Sequence, residues 1–143
     1  MTNHVTIVGS LNVDTTMKVK RMPLPGETIA ALSKTNAAGG KGANQAVAAA
    51  RSGAETAFVG QVGDDAGGKM MVNDLNDNNV DTTGIHADDQ AGTGSAAILL
   101  DESGQNSILV YGGANQQLSV KEVEDARDQI AAADFVIAQF ETP

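Results

Sequence analysis

Gly39-Gly40-Lys41-Gly42-Ala43-Asn44-Gln45-Ala46-Val47-Ala48-Ala49-Ala50-Arg51-Ser52-Gly53, followed two residues later by Thr56-Ala57-Phe58-Val59-Gly60-Gln61-Val62, reads as a glycine loop, a helix and a strand in succession. Residues 43–51 are good or tolerable helix formers, Arg51 stands in the last turn, and Gly53 can take the left-handed conformation that closes a helix. This helix is apolar on most sides, which predicts that it is buried. Residues 56–62 have the composition of a strand covered on both faces.

Working outward, residues 5–8 (Val-Thr-Ile-Val) form a short β-branched run that ends at Gly9-Ser10. This predicts a buried strand opening into a polar loop that carries Asn12 and Asp14. After the second strand, Gly63-Asp64-Asp65 supplies a turn and an N-cap for a helix reaching about Asn78. Strand, helix, strand, helix is the α/β pattern. Two stretches interrupt it, residues 28–38 and a pair of runs at 95–100 and 107–111 joined around Glu102-Ser103-Gly104-Gln105, which is a hairpin signal. Both faces of that hairpin are apolar and want cover, from a closed lid or a second protomer. Ser119, with Glu122 three residues on, opens a further helix through a capping box, reaching about Ala132. Residues 134–140 follow as a strongly apolar strand, and Glu141-Thr142-Pro143 ends the chain. A strand of that kind needs neighbours and a helix layer on each face, so the sequence looks interrupted within a domain.

Composition excludes several classes. The 143 residues, 41% apolar, suffice for one domain with a sizeable core, and no repeat or low-complexity tract occurs. A net charge of −9 has the wrong sign for nucleic acid or an anionic membrane surface. With no cysteine there is neither a disulfide framework nor a thiolate metal site. The absence of an apolar run of spanning length predicts a soluble, cytoplasmic protein with no membrane partner.

The glycine loop 39–44 lets a ligand touch backbone, and the helix behind it would present free N–H groups to a polar or anionic ligand. It is not a Walker A motif, because Gly42 follows Lys41 and no glycine stands five residues before the lysine; nor is it the dinucleotide fingerprint, whose third glycine is Gln45 here. A flexible loop with a solvated lysine is the alternative. Asn12 and Asp14 lie past the C-terminal end of the first strand, where open parallel sheets place ligands. A carboxylate accepts from adjacent hydroxyls and an amide both donates and accepts, which matches the vicinal hydroxyls of a sugar. An Asx-turn ending the strand is the alternative there. Glu141 stands at the corresponding end of the last strand, or is a solvated terminal carboxylate. Three segments delivering polar groups to one rim favour a site. Asp64 and Asp65 suit helix capping better than a metal, His4 and His86 have no ligand cluster around them, Gly112-Gly113-Ala114-Asn115 reads as a turn, and no nucleophilic triad is present.

The run Gly39 to Ala46, with Gly53 and Gly63 at their spacing, resembles the N-terminal signature of the ribokinase branch of the carbohydrate and nucleoside kinases. The likeness extends over the whole chain, through Gly9-Ser10-Leu11-Asn12-Val13-Asp14, Pro25-Gly26-Glu27-Thr28, Val62-Gly63-Asp64-Asp65 and Glu141-Thr142-Pro143. It implies a three-layer α/β fold, a Rossmann-like parallel sheet with helices on both faces, truncated here, plus a small β-lid from about 15–38 and 95–111 that also forms a homodimer interface. It implies that Asn12, Asp14, Gly39, Gly40, Lys41, Gly42, Asn44 and Glu141 bind D-ribose, whose 5-hydroxyl is phosphorylated from ATP with Mg2+ and a monovalent cation such as K+. The family's second signature, Asp-Thr-x-Gly-Ala-Gly-Asp, which brings the aspartate base and the nucleotide site, is absent from this sequence. The expectation is therefore a sugar-binding half, with no catalytic, cofactor or metal residue of its own and inactive alone. A kinase of another sugar or nucleoside, or a non-catalytic sugar-binding module, is the alternative.

Overall fold

The computed structural model describes residues 1–143. One sheet contains β1 (His4–Val8), β4 (Glu55–Gly63), β5 (Val80–Asp88) and β8 (Phe135–Ala138), in the order β5-β4-β1-β8 and parallel throughout. Between its strands run α1 (Lys41–Arg51), α2 (Ala66–Asp77) and a pair of short helices, α3 (Val120–Asp125) and α4 (Arg127–Ala131). The second sheet is mixed: β2 (Asn12–Val19), β3 (Ser33–Gly39), β6 (Gly94–Asp101) and β7 (Asn106–Tyr111) lie in the order β3-β2-β6-β7. Its β2/β6 pair is parallel, and both outer pairs are antiparallel.

Burial on both faces explains why β1 and β4, the two inner strands, carry apolar residues at successive positions. Val5 and Ile7 join Leu11, Ala43, Ala46, Phe58, Val62, Met71, Leu75 and Val80 in one cluster beneath α1 and α2. Thr6, between Val5 and Ile7, turns the other way, and its hydroxyl donates to the Gln129 carbonyl of α4 at 3.4 Å. Side chains that alternate across a strand thus find cover on both sides, which makes this a three-layer α/β fold.

Asp65 ties the two sheets together. As N-cap of α2 its Oδ1 accepts from Gly68 N at 2.8 Å and from Thr93 Oγ1 at 2.6 Å, while Oδ2 accepts from Thr93 N at 2.8 Å. Thr93 immediately precedes β6, so one carboxylate caps a helix and anchors the root of the second sheet. Burial pushes the Asp65 carboxyl up, but the hydroxyl and N–H of Thr93 and the N–H of Gly68 outweigh it and hold it below its ordinary 3.8. Its stabilisation is present above that ordinary value and fades as pH falls through the lower folded one. Asp65→Ala is expected to cost about 1–2 kcal/mol at neutral pH, read as a lower urea midpoint with unchanged slope. The difference should shrink in acid.

Four expectations need correction, and one strand had none. Asn12 and Asp14 are not in a loop but in β2, because Val13, Thr15, Thr16 and Val19 carry enough β-branched character to extend the chain straight from the turn after β1. The helix at the glycine loop begins at Lys41 and is not buried all round: only Gly42, Ala43 and Ala46 are buried, and Ala48 faces solvent. β5 had no reading as a strand, since Val-Asp-Thr-Thr-Gly-Ile-His-Ala-Asp is rich in turn formers. As an outer strand with a register shift it needs only a few buried positions, Val80 and Gly84 among them. The helix at 119–132 has its capping box, but breaks at Ala126. The last strand is shorter than 134–140 and is the outer strand of its sheet, leaving Phe135, Val136 and Phe140 exposed.

Candidate functional site

The site assembles where β1 ends. Ser10, 1% exposed, sits in the three-residue connection from β1 to β2. Its hydroxyl donates to Glu141 Oε2 at 2.5 Å and accepts from Gly42 N at 3.4 Å, and its carbonyl accepts from Ala43 N at 3.0 Å. Glu141 Oε2 also accepts from Lys41 N at 3.4 Å, and Lys41 Nζ lies 3.4 Å from Oε1. Three segments far apart in sequence meet around one carboxylate: the tip of β1, the start of α1 and the chain after β8.

That meeting alters one expectation. The first N–H groups of α1 are engaged by Ser10 and Glu141 rather than left free for an anion. A carboxylate at the positive end of the helix dipole already neutralises it, so the loop's remaining capacity suits an uncharged ligand. The Ser10 hydroxyl holds the Glu141 carboxyl below its ordinary 4.5, against burial, with the N–H and ammonium of Lys41 adding to the effect. The lysine itself is mostly exposed, and its ion pair adds little stability.

Asp14 has the opposite environment. Its carboxylate lies flat against Gly39, where a Cβ would stand 2.3 Å from Oδ2 and 2.9 Å from Oδ1. Burial raises its pKa above the ordinary 3.8, and the charge of Glu141 raises it further, with no hydrogen bond from the chain to offset them. A partly buried carboxylate without donors is an unfilled acceptor. Asn12 pairs with Gly39 on one side and Gly94 on the other, and its Oδ1 accepts from Asn115 Nδ2 at 2.8 Å. Gly40 adopts φ 92° and leaves room only for hydrogen, since a Cβ would be 2.9 Å from the Ser10 carbonyl oxygen and 3.0 Å from Asn12 N.

A small cavity of about 170 Å³ is lined by Ser10, Asn12, Val110, Gly112, Asn115, Gln116 and Glu141. The structure therefore brings Asn12, Glu141, Asp14 and residues 39–42 to one place. Asn44 is exposed on the first turn of α1, next to that loop, and its backbone N–H donates to Gly40 O at 3.0 Å. Sequence reasoning missed Ser10, Asn115 and Gln116. Gly112–Asn115 does turn the chain, in a 3₁₀ segment Gly113–Gln117, but it buries Asn115 in the site. Its partners lie 103 and 104 residues away, so no local signal announces them.

No three His, Asp or Glu side chains cluster as a cation site, and both oxygens of Asp65 are engaged by N–H and hydroxyl donors. His4 instead meets Glu55 at 3.3 Å, and His86 pairs with Gln61 across the parallel sheet.

A parallel sheet sandwiched by helices, with a second sheet rising from its C-terminal tips and carboxylate, amide and lysine groups gathered at the join, is the ribokinase-type fold. The chain matches the pfkB family carbohydrate kinases over residues 2–139 and belongs to that family. It is 44% identical to the ribokinase of Staphylococcus aureus over 144 residues, covering 100% of this chain and 47% of that protein. Identity to the Haemophilus influenzae ribokinase is 43%, with the same shares covered. Among solved structures, Arabidopsis thaliana ribokinase complexed with ribose and ATP superposes with a TM-score of 0.88 at 37% identity, covering 100% of this chain and 47% of that one. The chain spans about half the length of the curated relatives it matches.

Proposed function

We propose that this chain is the sugar-binding half of an ATP-dependent kinase that phosphorylates the 5-hydroxyl of D-ribose. The observation that carries the reading is Asp14, a carboxylate held against Gly39 with no donor from its own chain, beside an amide and a second carboxylate. A neutral polyol satisfies all three through hydroxyls that donate and accept, and the self-neutralised N-terminus of α1 has no need of a charged one. The ribose and ATP bound by the Arabidopsis relative support the same assignment. Asn12, Asp14, the 39–42 loop, Asn44 and Glu141 would hold the sugar.

ATP, its Mg2+ and a monovalent cation would be bound outside these residues, where the relatives have their second half. The second sheet would act as a lid. Its β7 exposes Ile108, Leu109, Val110 and Tyr111 in succession, so apolar side chains stand on both sides of the strand, a surface suited to a homodimer partner. The acidic balance and the compartment read from composition fit a cytoplasmic enzyme of small metabolites. The test is direct: this chain incubated with ribose, Mg-ATP and potassium is expected to consume no ATP above background. Ribose-dependent turnover would refute the assignment of catalysis to residues outside it.

A further inference from the structure

One buried side chain holds the roots of both β2 and β6. Asn115, 2% exposed, accepts from the Leu11 N–H through Oδ1 at 2.9 Å, and donates through Nδ2 to the Leu11 carbonyl at 3.0 Å and to Asn12 Oδ1 at 2.8 Å. The 3₁₀ turn that carries it is fixed in turn by Ala114 N donating to Gly92 O at 2.8 Å. Against Gly94, the first residue of β6, the fit is so close that a Cβ would stand 2.1 Å from Asn115 Nδ2 and 2.4 Å from Asn12 Oδ1.

The direction of these bonds follows from the backbone. The Leu11 N–H can only donate and its C=O can only accept, so a single orientation of the Asn115 amide serves both. Its nitrogen then faces Asn12, which must answer with oxygen. The two N–H donors of Asn12 are what remains to offer a ligand in the cavity that both residues line. We infer that Asn115 is a positioning residue that fixes the amide polarity of Asn12, so that Asn12 donates to the sugar while Asp14 accepts from it. The inference rests on the sugar-binding reading and deepens it by assigning a donor role to Asn12.

The polarity matters because Asn12 and Asp14, two apart on β2, share one face. A hydroxyl has one proton. Once it has given that proton to Asp14, its oxygen needs a donor, which Asn12 supplies only in this orientation. Asn115→Asp keeps an acceptor for the Leu11 N–H but has no donor. Asn12 would then turn its nitrogen to the new carboxylate and its oxygen to the sugar, leaving two acceptors competing for one proton.

The experiment is calorimetric titration of ribose, 2-deoxyribose and 3-deoxyribose into the unaltered chain, Asn115→Asp, Asn115→Ala and Asn12→Asp, each checked for folding by circular dichroism. Both Asn115 variants are expected to lose about 10- to 100-fold in ribose affinity. The penalty for removing the shared hydroxyl should vanish in them, as in Asn12→Asp, while the other deoxy sugar keeps its penalty. A uniform loss across all three sugars, or unchanged ribose affinity, overturns the inference and leaves the functional reading standing. Failure of the unaltered chain to bind ribose overturns the functional reading itself. Should neither Asn115 variant fold, hydrogen exchange of the Leu11 amide in the unaltered chain decides: slow exchange supports the clamp, and exchange at the rate of a free amide refutes it.

Discussion

Asp14→Ala is expected to reduce ribose affinity at least about 100-fold if its carboxylate accepts from the sugar hydroxyls as proposed, since a charged acceptor in a partly buried site is then lost. The folded chain should survive the change, because Asp14 receives no hydrogen bond from it. Removing the carboxylate even relieves the repulsion between Asp14 and Glu141. The same residue should set the acid limb of binding. Its pKa is raised, by burial first and by Glu141 second, whereas that of Glu141 is lowered. As pH falls, Asp14 therefore takes up its proton above the ordinary aspartate value, and a protonated Asp14 no longer accepts from two hydroxyls. Ribose affinity should be flat near neutrality and fall by about tenfold per unit below the raised pKa of Asp14, beginning above the ordinary aspartate range. Calorimetry of both proteins across pH checks this; ribose affinity unchanged by Asp14→Ala would contradict it.

Gly42→Ala is expected to destabilise the chain and to loosen the proposed sugar site together. Two effects oppose one another. Alanine is the better helix former, by about 1 kcal/mol in a helix interior and less in the first turn. Against that, a Cβ on Gly42 would stand 2.6 Å from Ser10 N and 2.8 Å from the Ser10 carbonyl oxygen. Both are backbone atoms that no rotamer change can clear, so overpacking dominates, with a net cost of roughly 1–3 kcal/mol. Displacing Ser10 also releases its hydroxyl from Glu141, so ribose affinity should fall as well. Gly53→Ala is the control. It has φ +93° but nothing within 4 Å, so it should cost only the left-handed conformation, about 1 kcal/mol, and leave ribose binding unchanged. Urea denaturation and ribose titration of both variants separate the two cases; equal stability of Gly42→Ala and the unaltered chain would contradict the close approach of α1 to Ser10.

How much the sequence disclosed depended on whether the signal was local. The β1, α1, β4, α2 succession was legible because apolar periodicity and caps such as Asp65 and Ser119 act within a few residues. Asn12, Asp14 and Glu141 could be placed at one rim because all parallel strands end there. β5 was not legible, since an outer strand requires few apolar positions. Neither was the cavity wall. Ser10 looked like an ordinary loop serine and Asn115 like a turn residue; each gains its role from a partner more than 100 residues away. The engagement of the α1 N-terminus by Glu141 was hidden for the same reason, which is why the loop alone left an anionic ligand open.

In the proposed function the tip of β1, the glycine loop and Glu141 form one sugar site. Backbone and side-chain amide shifts of the isotopically labelled chain, followed by NMR as ribose is added, test it most directly. Saturable shifts are expected at Asn12, Asp14, residues 39–42 and Glu141, with Asn115 following Asn12. Shifts confined to residues away from the C-terminal end of β1, or no saturable shift at all, would contradict it.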